Sequence, residues 1–282
     1  MTRYFVYDVF TKPPFGGNQL AVIPDATALR DADLQDIARE FNYSETTFVY
    51  PASDPAHTAK VRIFTPTMEI PFAGHPIIGT ALALRDEGRQ GDMTLELGIG
   101  PIPCRFNEDA AAFTTSAPLE RIAEPDVSLV AKSLGLPIDA IDMSAHAPLQ
   151  ASLGLPFVIT ALRHDDDLAA CSTSIDAIKE GANRYPAGLD FALYAYVRSG
   201  ETINARMFAP LDNIPEDPAT GSAAATLAAL LTEIAGSPRS LTIHQGVSMG
   251  RPSVISAETT TSPAQVTISG SAIRTMQGEL LT

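Results

Sequence analysis

The sequence has little positive charge, few cysteines and no long hydrophobic run, and each shortage removes a class of protein. With 19 Lys and Arg against 33 Asp and Glu, the formal net charge is −14. Phosphate backbones and anionic lipids are held mainly by Lys and Arg, so nucleic acid and membrane surfaces drop out as partners. No stretch approaches the roughly 18 to 20 consecutive apolar residues that a bilayer span requires. Met1-Thr2-Arg3 leads straight into the strand-like Tyr4-Phe5-Val6-Tyr7, so the expectation is a cytoplasmic chain with no signal peptide. The two cysteines, Cys104 and Cys171, lie far apart with no C-x-x-C spacing and no His at ligand distance. They read as buried, inert thiols in a reducing compartment, and no metal site is expected. No phosphate loop and no G-x-G-x-x-G occurs, and Gly98-Ile99-Gly100 meets Pro101 instead of a helix.

What the sequence does have is an internal duplication. Its 282 residues, 45% of them apolar, suffice for one large domain or two of ordinary size. Arg62-Ile63-Phe64-Thr65-Pro66, Ile70-Pro71 and Gly74-His75 read against Arg206-Met207-Phe208-Ala209-Pro210, Ile214-Pro215 and Gly221-Ser222. Upstream, Gly17-Asn18-Gln19-Leu20-Ala21-Val22 parallels Gly154-Leu155-Pro156-Phe157-Val158-Ile159. Each copy continues into an apolar run without a polar face, Ile77 to Leu84 and Ala223 to Leu231. A helix that is apolar all round must be enclosed, so each half is expected to wrap strands around one central helix.

Hairpins are expected at Thr46–Tyr50 with Ala59–Phe64 and at Leu193–Val197 with Thr202–Phe208, each feeding its central helix. Leu34, Ile37, Ala38 and Phe41 predict an amphipathic surface helix within Asp31–Phe41. Asp165-Asp166-Asp167 reads as a solvated helix start. The fold class is therefore α+β, with two pseudo-symmetric halves, each a β-barrel around an apolar α-helix. Residues 1–118 form the first half, with segment 271–282 a candidate to complete it, and residues 119–270 form the second.

The chemistry gathers at the starts of the central helices. His75 is read as an N-cap, Pro76 as the first-turn proline whose missing N–H costs nothing, and Gly74 as a place where a ligand can approach the backbone. Thr220-Gly221-Ser222 plays the same part in the second copy. Unsatisfied N–H groups and the helix dipole make an anion site, and two such sites facing a cleft between the halves would hold a small carboxylate without a cofactor. Plain helix capping is the alternative. Glu45, where a helix ends and a strand begins beside Phe48, is expected to be partly desolvated, which raises a carboxyl pKa toward neutrality and lets it accept and return a proton. A solvated strand-edge Glu is the competing reading. Asp217, just before the second helix, either contacts substrate or bonds backbone N–H groups of its own loop. His57, His146, His164 and His244 share no motif and read as surface or structural residues.

Taken together, Tyr7-Asp8-Val9-Phe10 with Gly17-Asn18 and Ala21-Val22, Ser44-Glu45-Thr46, Pro71-Phe72-Ala73-Gly74-His75-Pro76 and the EDPATGSAA string from Glu216 to Ala224 resemble the phenazine-biosynthesis, PhzF-like isomerase family. The resemblance covers nearly the whole chain. It implies the diaminopimelate epimerase-like fold, a site in the cleft between the halves, no cofactor and a homodimer. In the family's phenazine enzyme the glutamate matching Glu45 moves a proton between carbons of a dihydro-hydroxyanthranilate. Residues matching His75, Asp217 and Ser222 line that site, glycines matching Gly74 and Gly221 help hold the carboxylate, and Asn18 matches a position near the substrate. Two departures stand out. The racemases of this fold use paired cysteines beside the helix-start glycines, where this chain has none, and Gln19 stands where many relatives have Pro. A cofactor-independent isomerase with Glu45 as general acid and base is the leading expectation. A two-base epimerase using Glu45 and Asp217, or a non-catalytic small-molecule binder of the same fold, are its competitors.

Overall fold

The computed structural model describes residues 1–281. In chain order, the first elements are β1 (Thr2–Val9), β2 (Asn18–Ile23), α1 (Leu34–Phe41), β3 (Glu45–Tyr50), β4 (Ala59–Phe64) and β5 (Glu69–Ile70). They are followed by α2 (Gly74–Asp86), β6 (Met93–Leu97), β7 (Gly100–Asn107) and β8 (Ala110–Thr115). Next come β9 (Glu120–Ala123), α3 (Val127–Leu134), β10 (Leu149–Ser152), β11 (Pro156–Ala161), α4 (Asp165–Ala170) and α5 (Ile175–Arg184). The chain ends with β12 (Leu193–Ser199), β13 (Thr202–Ala209), β14 (Ile214–Asp217), α6 (Gly221–Ala235), β15 (Ser240–Gln245), β16 (Ser253–Thr261) and β17 (Ala264–Leu280). These elements group into two compact units, Met1–Thr115 completed by the chain from Thr267 onward, and Ser116–Val266.

In the first unit, β1 pairs with β2, β2 runs parallel to β3, β3 forms a hairpin with β4, and β4 runs parallel to β6. Hairpins carry the ladder on through β7 to β8, and β17 pairs with both β8 and β1, closing the barrel. Closure leaves no unpaired edge along the circuit. Inside lies α2, against β1, β2, β3, β6, β7 and β8, with every residue from Gly74 to Leu84 buried. The alternating burial of β6 and β8 follows from this arrangement, since one face of each strand meets the helix and the other does not. On the outside, α1 buries Leu34, Ile37 and Ala38 against a cluster that includes Ile23, Phe48 and Phe64.

The second unit repeats the wiring. Strand β10 pairs with β11, β11 runs parallel to β12, β12 forms a hairpin with β13, and β13 runs parallel to β15, which pairs with β16. Its helix α6 packs against β10, β11 and β16 and is buried from Gly221 to Ala228. The parallel steps, β2 to β3 and β11 to β12, are bridged by α1 and by α4 with α5 respectively, as parallel neighbours require a crossover.

Each unit also carries an arginine clamp at the same place. Arg62 makes a bidentate pair with Glu69 at 2.7 and 2.6 Å, contacts Asp31, and lies over the Phe64 ring. Arg206 makes a bidentate pair with Glu216 at 2.8 Å on both arms and lies over the Phe208 ring. The second guanidinium also donates to the carbonyls of Leu168, Ala169 and Cys171, satisfying the open end of α4. Cys104 and Cys171 are free and buried, and burial pushes their thiols up to about 12 and about 11, so both stay protonated. No helix among the described residues is long and apolar enough to cross a membrane.

Candidate active site

The site in the first unit is built by three neighbouring elements. The parallel register of β2 and β3 sets Leu20 opposite Glu45, so Glu45 opens its strand one residue beyond Gln19 and two beyond Asn18. The antiparallel register of β1 sets Val9 opposite Asn18 and Asp8 opposite Gln19. Gly17, at φ +62°, makes the turn into β2, and any Cβ there would sit 2.3 Å from the Val9 carbonyl oxygen. The start of α2 brings in His75.

His75 is the second residue of α2, whose N-cap is Ala73 with no side-chain cap bond. This corrects the N-cap reading: the imidazole is not spent on the helix's own N–H groups and is turned toward β2 and β3 instead. Its Nδ1 lies 3.3 Å from Glu45 Oε2 and 3.3 Å from Asn18 Nδ2. The His75 side chain is 3% exposed and that of Glu45 is 12% exposed, so Glu45 is not a solvated strand-edge carboxylate. Burial pushes the His75 ring down to about 3, against an opposing hydrogen bond with the Gln19 backbone, so the ring is neutral at physiological pH. A neutral ring has one donor and one acceptor nitrogen. The Glu45 contact is a close approach of the two side chains, and the Asn18 amide N–H, which can only donate, faces the same Nδ1. His75 Nε2 is buried and has no hydrogen-bond partner among the described residues. A buried polar atom in that condition marks a position where a ligand group or water completes the bonding.

The corresponding place in the second unit is organised differently. Asp217 ends β14 and is 4% exposed. Thr220 donates its hydroxyl to Asp217 Oδ2 at 2.5 Å. Thr220 also has N-cap position before α6, again with no side-chain cap bond, followed by Gly221 and Ser222 as the first two residues of the helix, both buried. Gln245, at the end of β15, is fully buried and reaches this loop with both ends of its amide. Its Nε2 donates to the Asp217 carbonyl at 2.8 Å and to Thr220 Oγ1 at 3.0 Å, and its Oε1 accepts the Thr220 N–H at 3.2 Å. Ser253 donates to the Pro218 carbonyl at 2.8 Å. Gly246, at φ +74°, lets the backbone pass so close that a Cβ would stand 2.6 Å from that same carbonyl.

The structure thus brings Asn18, Glu45, Gly74 and His75 together in one unit, and Asp217, Gly221 and Ser222 together in the other. Gln245 was not singled out from the sequence. A lone glutamine at the end of a strand carries no local signal, and only folding puts it on a loop 25 positions away. The remaining histidines are structural where they are engaged: His57 Nδ1 meets Glu96 at 2.9 Å, and His146 meets the Tyr196 hydroxyl at 2.9 Å. Among the described residues, no group of three or more His, Cys, Asp or Glu is placed to hold a metal ion.

Barrels that each enclose an apolar helix define the class of fold as diaminopimelate epimerase-like. That fold is shared at 12% identity by a hydroxyproline epimerase from Agrobacterium vitis, with a TM-score of 0.65 over 99% of this chain and 90% of that one. A phenazine biosynthesis protein of the PhzF family from Bacillus anthracis shares it more closely, with a TM-score of 0.87 and 24% identity over 100% and 99% of the two chains. The family of phenazine biosynthesis-like proteins matches residues 7–278, and the chain belongs to it. The trans-2,3-dihydro-3-hydroxyanthranilate isomerase of Pseudomonas aeruginosa is 36% identical over 264 residues, covering 90% of this chain and 88% of that protein.

Proposed function

We propose that this isomerase moves a proton between two carbons of a small cyclic carboxylate, with Glu45 as the group that takes the proton and returns it. The observation that carries the reading is the buried contact at 3.3 Å between Glu45 and a neutral His75 whose other ring nitrogen has no hydrogen-bond partner among the described residues. The carboxylate of Glu45 breaks a C–H bond, the electron pair shifts along the conjugated substrate, and the same proton or one exchanged with water forms a C–H bond at another carbon. Nothing is oxidised or reduced, so the balance needs no redox partner. His75 steadies each protonation state of Glu45 in turn and offers Nε2 to a polar group of the substrate. The N–H groups at the start of α2, opened by Gly74, take the substrate carboxylate, and Asn18 orients the imidazole. Asp217, Gly221 and Ser222 are assigned to the same reaction, Asp217 polarising the substrate. A cytoplasmic homodimer is the setting this reading implies, and sedimentation of the purified protein checks the assembly.

The probe is trans-2,3-dihydro-3-hydroxyanthranilate in deuterated water. Glu45→Gln is expected to lower deuterium entry and turnover by about a hundred- to ten-thousandfold while the compound still binds. Undiminished exchange in that variant would remove the proposal. Label also separates the two-base alternative: one-base transfer retains part of the substrate's own proton, whereas inversion by Glu45 and Asp217 takes the new one wholly from solvent.

A further inference from the structure

The hydrogen bonds around Asp217 have only one consistent direction. The Thr220 N–H can only donate, which fixes the oxygen of the Gln245 amide on that side and leaves its Nε2 facing the Asp217 carbonyl and the Thr220 hydroxyl. That hydroxyl has one proton. Since it receives a hydrogen bond from Gln245 Nε2, its own proton is directed to Asp217 Oδ2 at 2.5 Å. The orientation therefore propagates from a backbone N–H through an amide and a hydroxyl to a carboxylate.

We infer that Gln245 is a positioning residue that aims the Asp217 carboxylate through the Thr220 hydroxyl. The inference rests on the reading that Asp217 takes part in the reaction. The surroundings favour a dedicated brace over ordinary loop packing. The Pro218 carbonyl is held by Ser253, the Thr220 carbonyl by the N–H of Ala224, and the Asp217 carbonyl by Gln245. The loop backbone is thus secured from Asp217 through Thr220, and within this network the Thr220 hydroxyl reaches the Asp217 side chain. Gln245 is 0% exposed, so water does not replace it when it is removed.

Gln245→Met keeps the shape and removes both ends of the relay, and Thr220→Val removes the hydroxyl alone. In the proton-transfer assay above, each is expected to lower kcat by about ten- to a hundredfold, the scale found when a partner that orients a reactive group is lost, with KM little changed. The double variant should fall no further than the worse single one, because both act through the same hydroxyl. Thr220→Ser should recover most of the loss seen in Thr220→Val. Effects that multiply in the double variant would overturn the relay. A crystal structure of Gln245→Met should show the Asp217 side chain turned away from Thr220, and an unmoved carboxylate would likewise overturn it. Should Asp217 turn in that crystal while Asp217→Asn retains full turnover, the assignment of Asp217 to the reaction has failed and the positioning role stands.

Discussion

The two helix starts share a scaffold and differ in chemistry. Both follow an arginine clamp, Arg62 with Glu69 and Arg206 with Glu216, and both open with a glycine followed by a buried polar residue. In the first unit that polar residue is His75, facing Glu45 across 3.3 Å. In the second it is Ser222, and the residue at the place of Glu45 is Ala192, one step before the Leu193 that pairs with Val158. The second unit has its acid elsewhere, at Asp217 on the loop before the helix, where Thr220 and Gln245 govern it. The two units match in the strands and helix that build each of them and differ in the acids beside the helix starts. A symmetric pair of bases would need matching acids at matching strand starts, and among the described residues Glu45 is matched by Ala192.

The largest effect expected from breaking this asymmetry is on rate. Glu45→Gln should lower kcat by about a hundred- to ten-thousandfold, the span of general acid–base catalysis, and Asp217→Asn should cost less. Equal losses measured in the two variants would argue for paired bases. The next effect is on stability against acid. His75 titrates near 3 when folded, below its unfolded value of about 6.5, so between these limits the unfolded chain binds a proton that the folded chain does not. Stability contributed by keeping the ring neutral is present above about pH 6.5 and is lost as pH falls toward 3, at about 1.4 kcal/mol per unit. Thermal melts at pH 4, 5 and 6 should therefore show a shallower slope for His75→Gln, and an unchanged slope would contradict the buried neutral ring. The smallest effect compares the clamps. Arg206 is 11% exposed and tied also to the end of α4, whereas Arg62 is 23% exposed with one partner on open surface. Denaturant melts should show Arg206→Met costing about 2 kcal/mol and Arg62→Met about 1 kcal/mol or less, since solvent screens the more exposed pair.

Much of this was legible in the chain itself where the signal is local. The hairpin strands from Glu45 to Phe64 and from Leu193 to Ala209 lie where alternation and turn residues put them. The all-apolar runs became the enclosed helices, because a helix without a polar face has no stable place in water. Asp165-Asp166-Asp167 does begin a helix, as acidic residues favour the positive end of its dipole. Gly-His-Pro reads locally as a cap at His75, yet α2 already begins at Gly74, and the ring lies against Glu45 instead of capping the helix.

The sequence alone determined the repeat, the period of each element and the residue types at the helix starts, since these depend on neighbours a few positions away. Tertiary structure decided the rest. It brought β17 back to pair with β1 across nearly the whole chain, set Asn18, Glu45 and His75 within reach of one another, and laid Gln245 on the loop of Asp217. Those contacts join residues with no periodic relation, so only the packing of strands around a buried helix fixes which side chains meet.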